Sequence, residues 1–193
     1  MFTSLLVIVF IVILAYFSLY TYNKLAAATQ YISTAWEELD GLLSHRYAVL
    51  AALIRKINSV TNREQTLVQK LIDVRYTAML LQKRGADRSF QENSISTSVS
   101  DLCDLLKKYP QLKEDQQMID LLKEFIAVTD QIQHATRLYN KTAAMINNLA
   151  DTFPASLIAD MWHFKRVDPV SFQETLLPDL DQLIKESNQK EKE

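Results

Sequence analysis

Apolar residues follow two different patterns along this chain, and the change between them divides it. Residues 2–22 read FTSLLVIVFIVILAYFSLYTY, without a charge, a glycine or a proline. At ~1.5 Å rise per residue, ~20 helical residues cover the ~30 Å hydrocarbon core of a bilayer. Phe2, Leu6, Val9, Ile13, Phe17 and Tyr20 belong to that predicted span. Tyr16, Tyr20 and Tyr22 gather at its far end, where amphipathic rings prefer the headgroup layer. Beyond Tyr22 the apolar positions recur every three or four residues, the period of a helix with one packed face.

The first such stripe is Leu25, Ile32, Trp36, Leu39, Leu42, Leu43, Leu50, Leu53, Ile57 and Val60. Nothing from Asn23 to Ser59 stops this helix except a tolerable Gly41, so it is predicted to continue directly from the apolar segment. Thr61-Asn62-Arg63-Glu64 has the form of a capping box, which starts a second helix carrying Leu67, Leu71, Val74 and Leu80. Lys83-Arg84-Gly85 ends it, with cations in the last turn and a glycine suited to the left-handed C′ position. Residues 86–94 read as a polar, mobile loop. A short third helix carries Ile95, Val99, Leu102 and Leu106 and closes at Tyr109-Pro110.

Asp115 is the expected N-cap of a fourth helix that runs to about Thr152, before Pro154. Its seam is Met118, Leu121, Phe125, Val128, Ile132, Ala135, Tyr139, Thr142, Ile146 and Leu149, spaced alternately by about three and four as in a coiled coil. Short connections make successive helices antiparallel. The predicted fold class is therefore all-α: an N-terminal transmembrane helix continuing into an elongated, coiled-coil-like antiparallel four-helix bundle. The first and fourth soluble helices reach ~55 Å. The domain reading is 1–22 anchor, 23–173 helical bundle and 174–193 acidic, mostly disordered tail.

Composition agrees with helices. Only two glycines and four prolines occur in 193 residues, too few for the turns that sheets and nucleotide-binding loops require. A formal net charge of −2 offers no broad basic face to nucleic acid. The apolar segment is longer than a signal-peptide core and no Lys or Arg precedes it, which favours an uncleaved anchor. Lys24, with Arg46, Arg55 and Lys56 further on, lies on the domain side of the span, which favours a cytoplasmic domain. The single Cys103 cannot form an internal disulfide and fits either compartment.

Tyr22-Asn23-Lys24-Leu25, then Ala35-Trp36, Leu39-Asp40 and Arg46-Tyr47, resemble the opening of LemA family proteins. The resemblance resumes at Tyr109-Pro110-Gln111-Leu112-Lys113 and at Tyr139-Asn140 with Asn147. It closes with Phe153-Pro154, Leu157-Ile158-Ala159 and Phe164-Lys165. It implies a bacterial membrane protein with a helical-bundle domain and no established catalytic activity. Where the family usually reads Arg-Tyr-Asp-Leu-Ile-Pro-Asn-Leu, this chain has Arg46-Tyr47-Ala48-Val49-Leu50-Ala51-Ala52-Leu53, so its first helix should be straighter. Thr129 stands where the family usually has a glutamate, with Asp130 beside it.

Several residues carry candidate roles. Arg46 lies in the apolar stripe, and snorkelling of its head into water is the simpler expectation. The alternative is a buried guanidinium that holds a carboxylate or a ligand, with Asp130 as the proposed partner. Tyr139 occupies a core position of the fourth-helix seam, where a buried hydroxyl needs a partner. Asn140 and Asn147 flank it as interhelical contacts that fix register. Arg46, Asp130, Tyr139 and Asn140 are the candidate buried polar network, and Trp36 reads as a core side chain. His45, His134 and His163 are too scattered for a metal motif, and Asp160 with His163 supplies only two ligands. Cys103 sits between Asp101 and Asp104, neighbours that oppose a reactive thiolate. No nucleophile elbow, P-loop or dinucleotide fingerprint occurs, so no catalytic residue, cofactor, metal or small-molecule substrate is expected.

Residues 157–166 end the fourth-helix region and return to the membrane face if the helices alternate. Trp162, Phe164, Lys165 and Arg166 are candidate interface residues, and an apolar plug at the base of the bundle is the preferred alternative. The functional expectation is a non-enzymatic, single-pass scaffold or adaptor at the inner membrane. Its partners would be the bilayer and either an unidentified protein or a second copy, with no nucleic acid. A self-assembling or lipid-associated membrane-structuring protein is the alternative.

Overall fold

The computed structural model of the protein describes residues 2–60, 69, 72, 73, 76, 89, 92, 93, 95, 104, 106–109, 112 and 114–172. Among them there is no strand. Three continuous helices are α1 (Phe2–Val60), α2 (Gln116–Asp151) and α3 (Ala155–Met161). Gln69, Ile72, Asp73 and Tyr76, and then Ile95, Asp104 and 106–108, are helical at positions inside the second and third predicted helices. The capping box at Thr61, the stop at Gly85, Cys103 and the tail 174–193 lie outside the described residues.

α1 is one uninterrupted helix of 59 residues, as its lack of proline predicts. Its apolar side chains from Phe2 to Leu14 are exposed, and the helix as it starts from Phe2 is, by length and composition, long and apolar enough to cross a membrane. Packing starts within the last turns of the 2–22 segment, with Phe17 and Ser18 half-buried and Thr21 buried, and continues at Leu25. The predicted stripe is then buried at Ile32, Trp36, Leu39, Leu43, Leu50, Leu53 and Ile57. Gly41 has open space where a Cβ would sit, so the helix crosses it on its solvent side.

The chain divides into two compact units, Met1–Glu37 with Leu138–Pro169, and Glu38–Arg137 with Val170–Glu193. In the first, Trp36 meets Tyr139 edge-on with ring centroids 5.6 Å apart. Leu25 packs with Ala150 and Ala159, flanked by Leu149 and Phe164. Descending positions on α1 thus meet ascending positions beyond it, and the two helices run antiparallel. In the second unit His45 lies 3.3 Å from Glu124 and Lys56 lies 2.7 Å from Asp115, which is again an antiparallel pairing. Its core includes Leu39, Leu43, Leu53, Ile57, Ile95, Leu106, Leu112, Met118, Phe125 and Val128.

Asp115 caps α2 as its sequence position predicts, its Oδ1 accepting the Met118 N–H at 3.1 Å. Its other oxygen faces the Lys56 ammonium, and that hydrogen bond is the main reason its carboxyl is held below the usual aspartate range. A depressed carboxyl stabilises the fold above its unfolded pKa, and that contribution is lost as pH falls through the lower folded value. Asp115→Asn keeps a good N-cap but removes the charge. It should flatten the acid side of the thermal midpoint against pH while leaving little change far above the unfolded pKa beyond the lost ion pair.

The chain turns out of α3 through a Schellman arrangement. Phe164 N–H reaches the Ala159 carbonyl at 2.9 Å, and His163 N–H reaches that of Asp160 at 3.2 Å. The turn needs a left-handed residue, and His163 occupies it at φ 51°. A Cβ in that region carries a steric cost that glycine avoids. His163→Gly should therefore stabilise the protein by about 0.5–1 kcal/mol, read as a raised thermal midpoint. The apolar contact that accompanies such caps is Phe164, half-buried against Ala159.

Candidate functional site

Three constellations in the structure hold residues singled out by the sequence. The first is a buried ion pair in the second unit. Arg46 is 3 % exposed and Glu92 is 0 % exposed, so the guanidinium does not snorkel. Arg46 Nη2 hydrogen-bonds one oxygen of Glu92, and the Tyr47 hydroxyl donates to the other. The Nε of Arg46 has no partner among the described residues. Asp130 is exposed and Arg46 pairs with Glu92 instead. A carboxylate at a solvent-facing position of α2 stays hydrated, whereas a buried guanidinium requires an anion that is buried with it.

Glu92 lies in the stretch expected to be a mobile loop. Ser89, Glu92 and Asn93 are helical there, and Ser89 and Glu92 are buried. The signal was present in the spacing: Glu92, Ile95, Val99, Leu102 and Leu106 are separated by three, four, three and four. Glu92 therefore sits in line with the apolar face of the helix that follows. A single carboxylate in that line is masked by the polar composition of residues 86–94 around it.

The second constellation is in the first unit, where α2 holds the extended residues after α3. Asn147 binds Val167 on both backbone groups, donating Nδ2–H to its carbonyl and accepting its N–H on Oδ1, each at 2.9 Å. The Tyr139 hydroxyl donates to the Asp168 carbonyl at 3.2 Å. Arg166 reaches Asp151 through Nε at 2.9 Å and Nη2 at 2.5 Å. Asn147 and Tyr139 thus satisfy backbone groups of a segment with no secondary structure of its own, the half-buried Val167 among them, while Asp151 holds the segment through the Arg166 side chain. Asn140 is half-buried beside them. In the second unit Ser171 N–H donates to the Ser89 hydroxyl at 2.9 Å.

The third constellation lies at the end of the apolar segment. The rings of Tyr22 and Trp162 are 5.0 Å apart, and Trp162 is exposed. Phe164 is turned the other way, into the Leu25, Ala150 and Ala159 cluster, so it plugs the first unit and does not present an interface. Arg166 is tied to Asp151, and Lys165 is exposed. The plug and the exposed surface are thus different residues of one segment.

A model of the LemA family matches residues 35–182. The chain belongs to the LemA family. A comparison with curated proteins found no match. In this LemA chain Tyr139 and Asn147, two residues of the family resemblance, act as the clamp on residues 167 and 168. Arg46 and Tyr47, two others, converge on Glu92. The stretch with Ala48, Ala51 and Ala52, where the LemA pattern has polar residues and a proline, is traversed by α1 without a break.

Proposed function

We propose that this LemA family chain is a single-pass, non-enzymatic membrane protein whose helical bundle serves as a scaffold for a protein partner. The observation that carries the reading is the continuity of α1. One helix supplies both the exposed apolar segment and, from Leu25 to Ile57, the buried stripe of the domain. The first unit is thus joined to the apolar segment by continuous helix with no linker between them, which suits presentation of a surface at the bilayer. The antiparallel pairing of α1 with α2 supports a four-helix bundle. The lysine and arginines on the domain side favour the cytoplasmic face of a bacterial inner membrane.

Large apolar side chains remain exposed on the helices at Tyr31, Tyr76, Leu138 and Met145, of which Leu138 and Met145 lie seven apart on α2. Photoreactive residues at these four positions in the full chain, crosslinked in cells and read by mass spectrometry, test the scaffold. One dominant protein partner, dependent on the face labelled, is the expected result. Crosslinks confined to lipid or to further copies of the chain would replace the scaffold with a self-assembling membrane structure.

A further inference from the structure

α3 is built inside out for a helix in water. Its small residues Ala155 and Ala159 are buried, while Leu157 and Met161, four apart on one face, are 63 % and 61 % exposed. Phe153, four residues before Leu157, is 76 % exposed, and Trp162 is 58 % exposed. A helix with its apolar face directed outwards marks a contact with something that is not water. Asp160 and Lys165 are exposed beside these residues, which gives the apolar patch a polar rim.

What covers the patch follows from its neighbour. Trp162 lies against Tyr22, the last residue of the apolar segment, so the patch is level with the end of that segment. Residues 2–22, at ~1.5 Å each, span ~31 Å, the thickness of the hydrocarbon core. Tyrosine and tryptophan together at that height are the pair enriched at the headgroup boundary. We propose that Phe153, Leu157, Met161 and Trp162 form a lipid-binding foot. It enters the headgroup–acyl boundary of the same bilayer that the apolar part of α1 crosses. The inference rests on the anchored reading and adds a second, interfacial contact to it. The foot lies in the plane of the interface and fixes the tilt of the first unit against the membrane.

The chain has two tryptophans, and Trp36 is buried against Tyr139, so the difference in fluorescence between the full chain and W162F isolates Trp162. Full-length protein is reconstituted in phosphatidylethanolamine–phosphatidylglycerol vesicles carrying a nitroxide either near the top of the acyl chain or at its methyl end. The expected result is blue-shifted Trp162 emission quenched several-fold more strongly by the shallow nitroxide, as a depth of ~5–10 Å requires. L157Q/M161Q should lose that quenching and still resist extraction from the vesicles by alkaline carbonate. Carbonate-resistant protein with water-exposed, unquenched Trp162 overturns the foot and leaves the anchor standing. Failure to resist carbonate overturns the anchor and the foot with it. A blue shift that no lipid nitroxide quenches, and that fades on dilution of protein in the bilayer, assigns the patch to a second copy and overturns the lipid contact.

Discussion

Replacing Glu92 with alanine is expected to destabilise the protein by about 3–5 kcal/mol, the cost of leaving a buried guanidinium without its anion. Arg46 and Glu92 are both almost wholly removed from water, so solvent cannot step in as it would at a surface pair. The Tyr47 hydroxyl loses its acceptor in the same step. Glu92→Gln should cost less, because it keeps an acceptor while removing the charge. The informative variant is the double replacement R46M/E92L, which removes both charges and fills the volume. It should recover most of the loss, since a buried ion pair gains little over a well-packed apolar pair. Denaturant unfolding of the full chain in mild detergent, followed by far-UV circular dichroism, measures all three. A loss under about 1 kcal/mol for E92A would mean that the pair is hydrated and that its burial is not energetic.

Asn147→Ala is expected to cost about 2 kcal/mol and to act locally. Two hydrogen bonds worth about 0.5–1.5 kcal/mol each are lost, and both backbone groups of Val167 are left half-buried and unpaired. No other residue type replaces this side chain well. Aspartate accepts from the Val167 N–H but sets a negative oxygen against the Val167 carbonyl, so N147D should fall near N147A. Tyr139→Phe removes one longer bond and should cost less. Hydrogen exchange at the Val167 amide should accelerate strongly in N147A, and protease should cut within 164–171 sooner. The helical signal should barely change, because α2 does not need the bond to form. Unaltered exchange at Val167 would mean that the segment is held by Tyr139, Phe164 and Arg166 without Asn147.

These two expectations rest on features that the sequence disclosed unequally. The helices were legible because their apolar stripes repeat with helical period, and of the ten α2 seam positions Met118, Phe125, Val128, Ile132, Ala135, Tyr139 and Ile146 are buried. Asp115 was legible because a cap is a local matter of one side chain and the next turn. The partner of Arg46 was not, because pairing between residues 46 apart depends on which helix faces which. The position of Asn147 beside the seam predicts contact with another helix, and the residue instead holds irregular chain twenty residues later. Its amide can serve either purpose, and only the path of residues 164–171 decides between them. The orientation of α3 was hidden for a simpler reason. Leu157 and Met161 look like core residues by type, and only the burial of the alanines on the other side shows which face is turned inward.

An unbroken α1 also has an angular consequence. Ser18, Ile11 and Ser4 lie seven, fourteen and twenty-one residues before Leu25, in the same heptad position as Leu25 and Ile32. Rotating the apolar segment about its axis therefore turns the packed seam with it, as a shaft turns a key. Each residue added near Asn23 would advance the phase by ~100°, so one extra residue should misdirect the seam while four should nearly restore it, leaving ~40°.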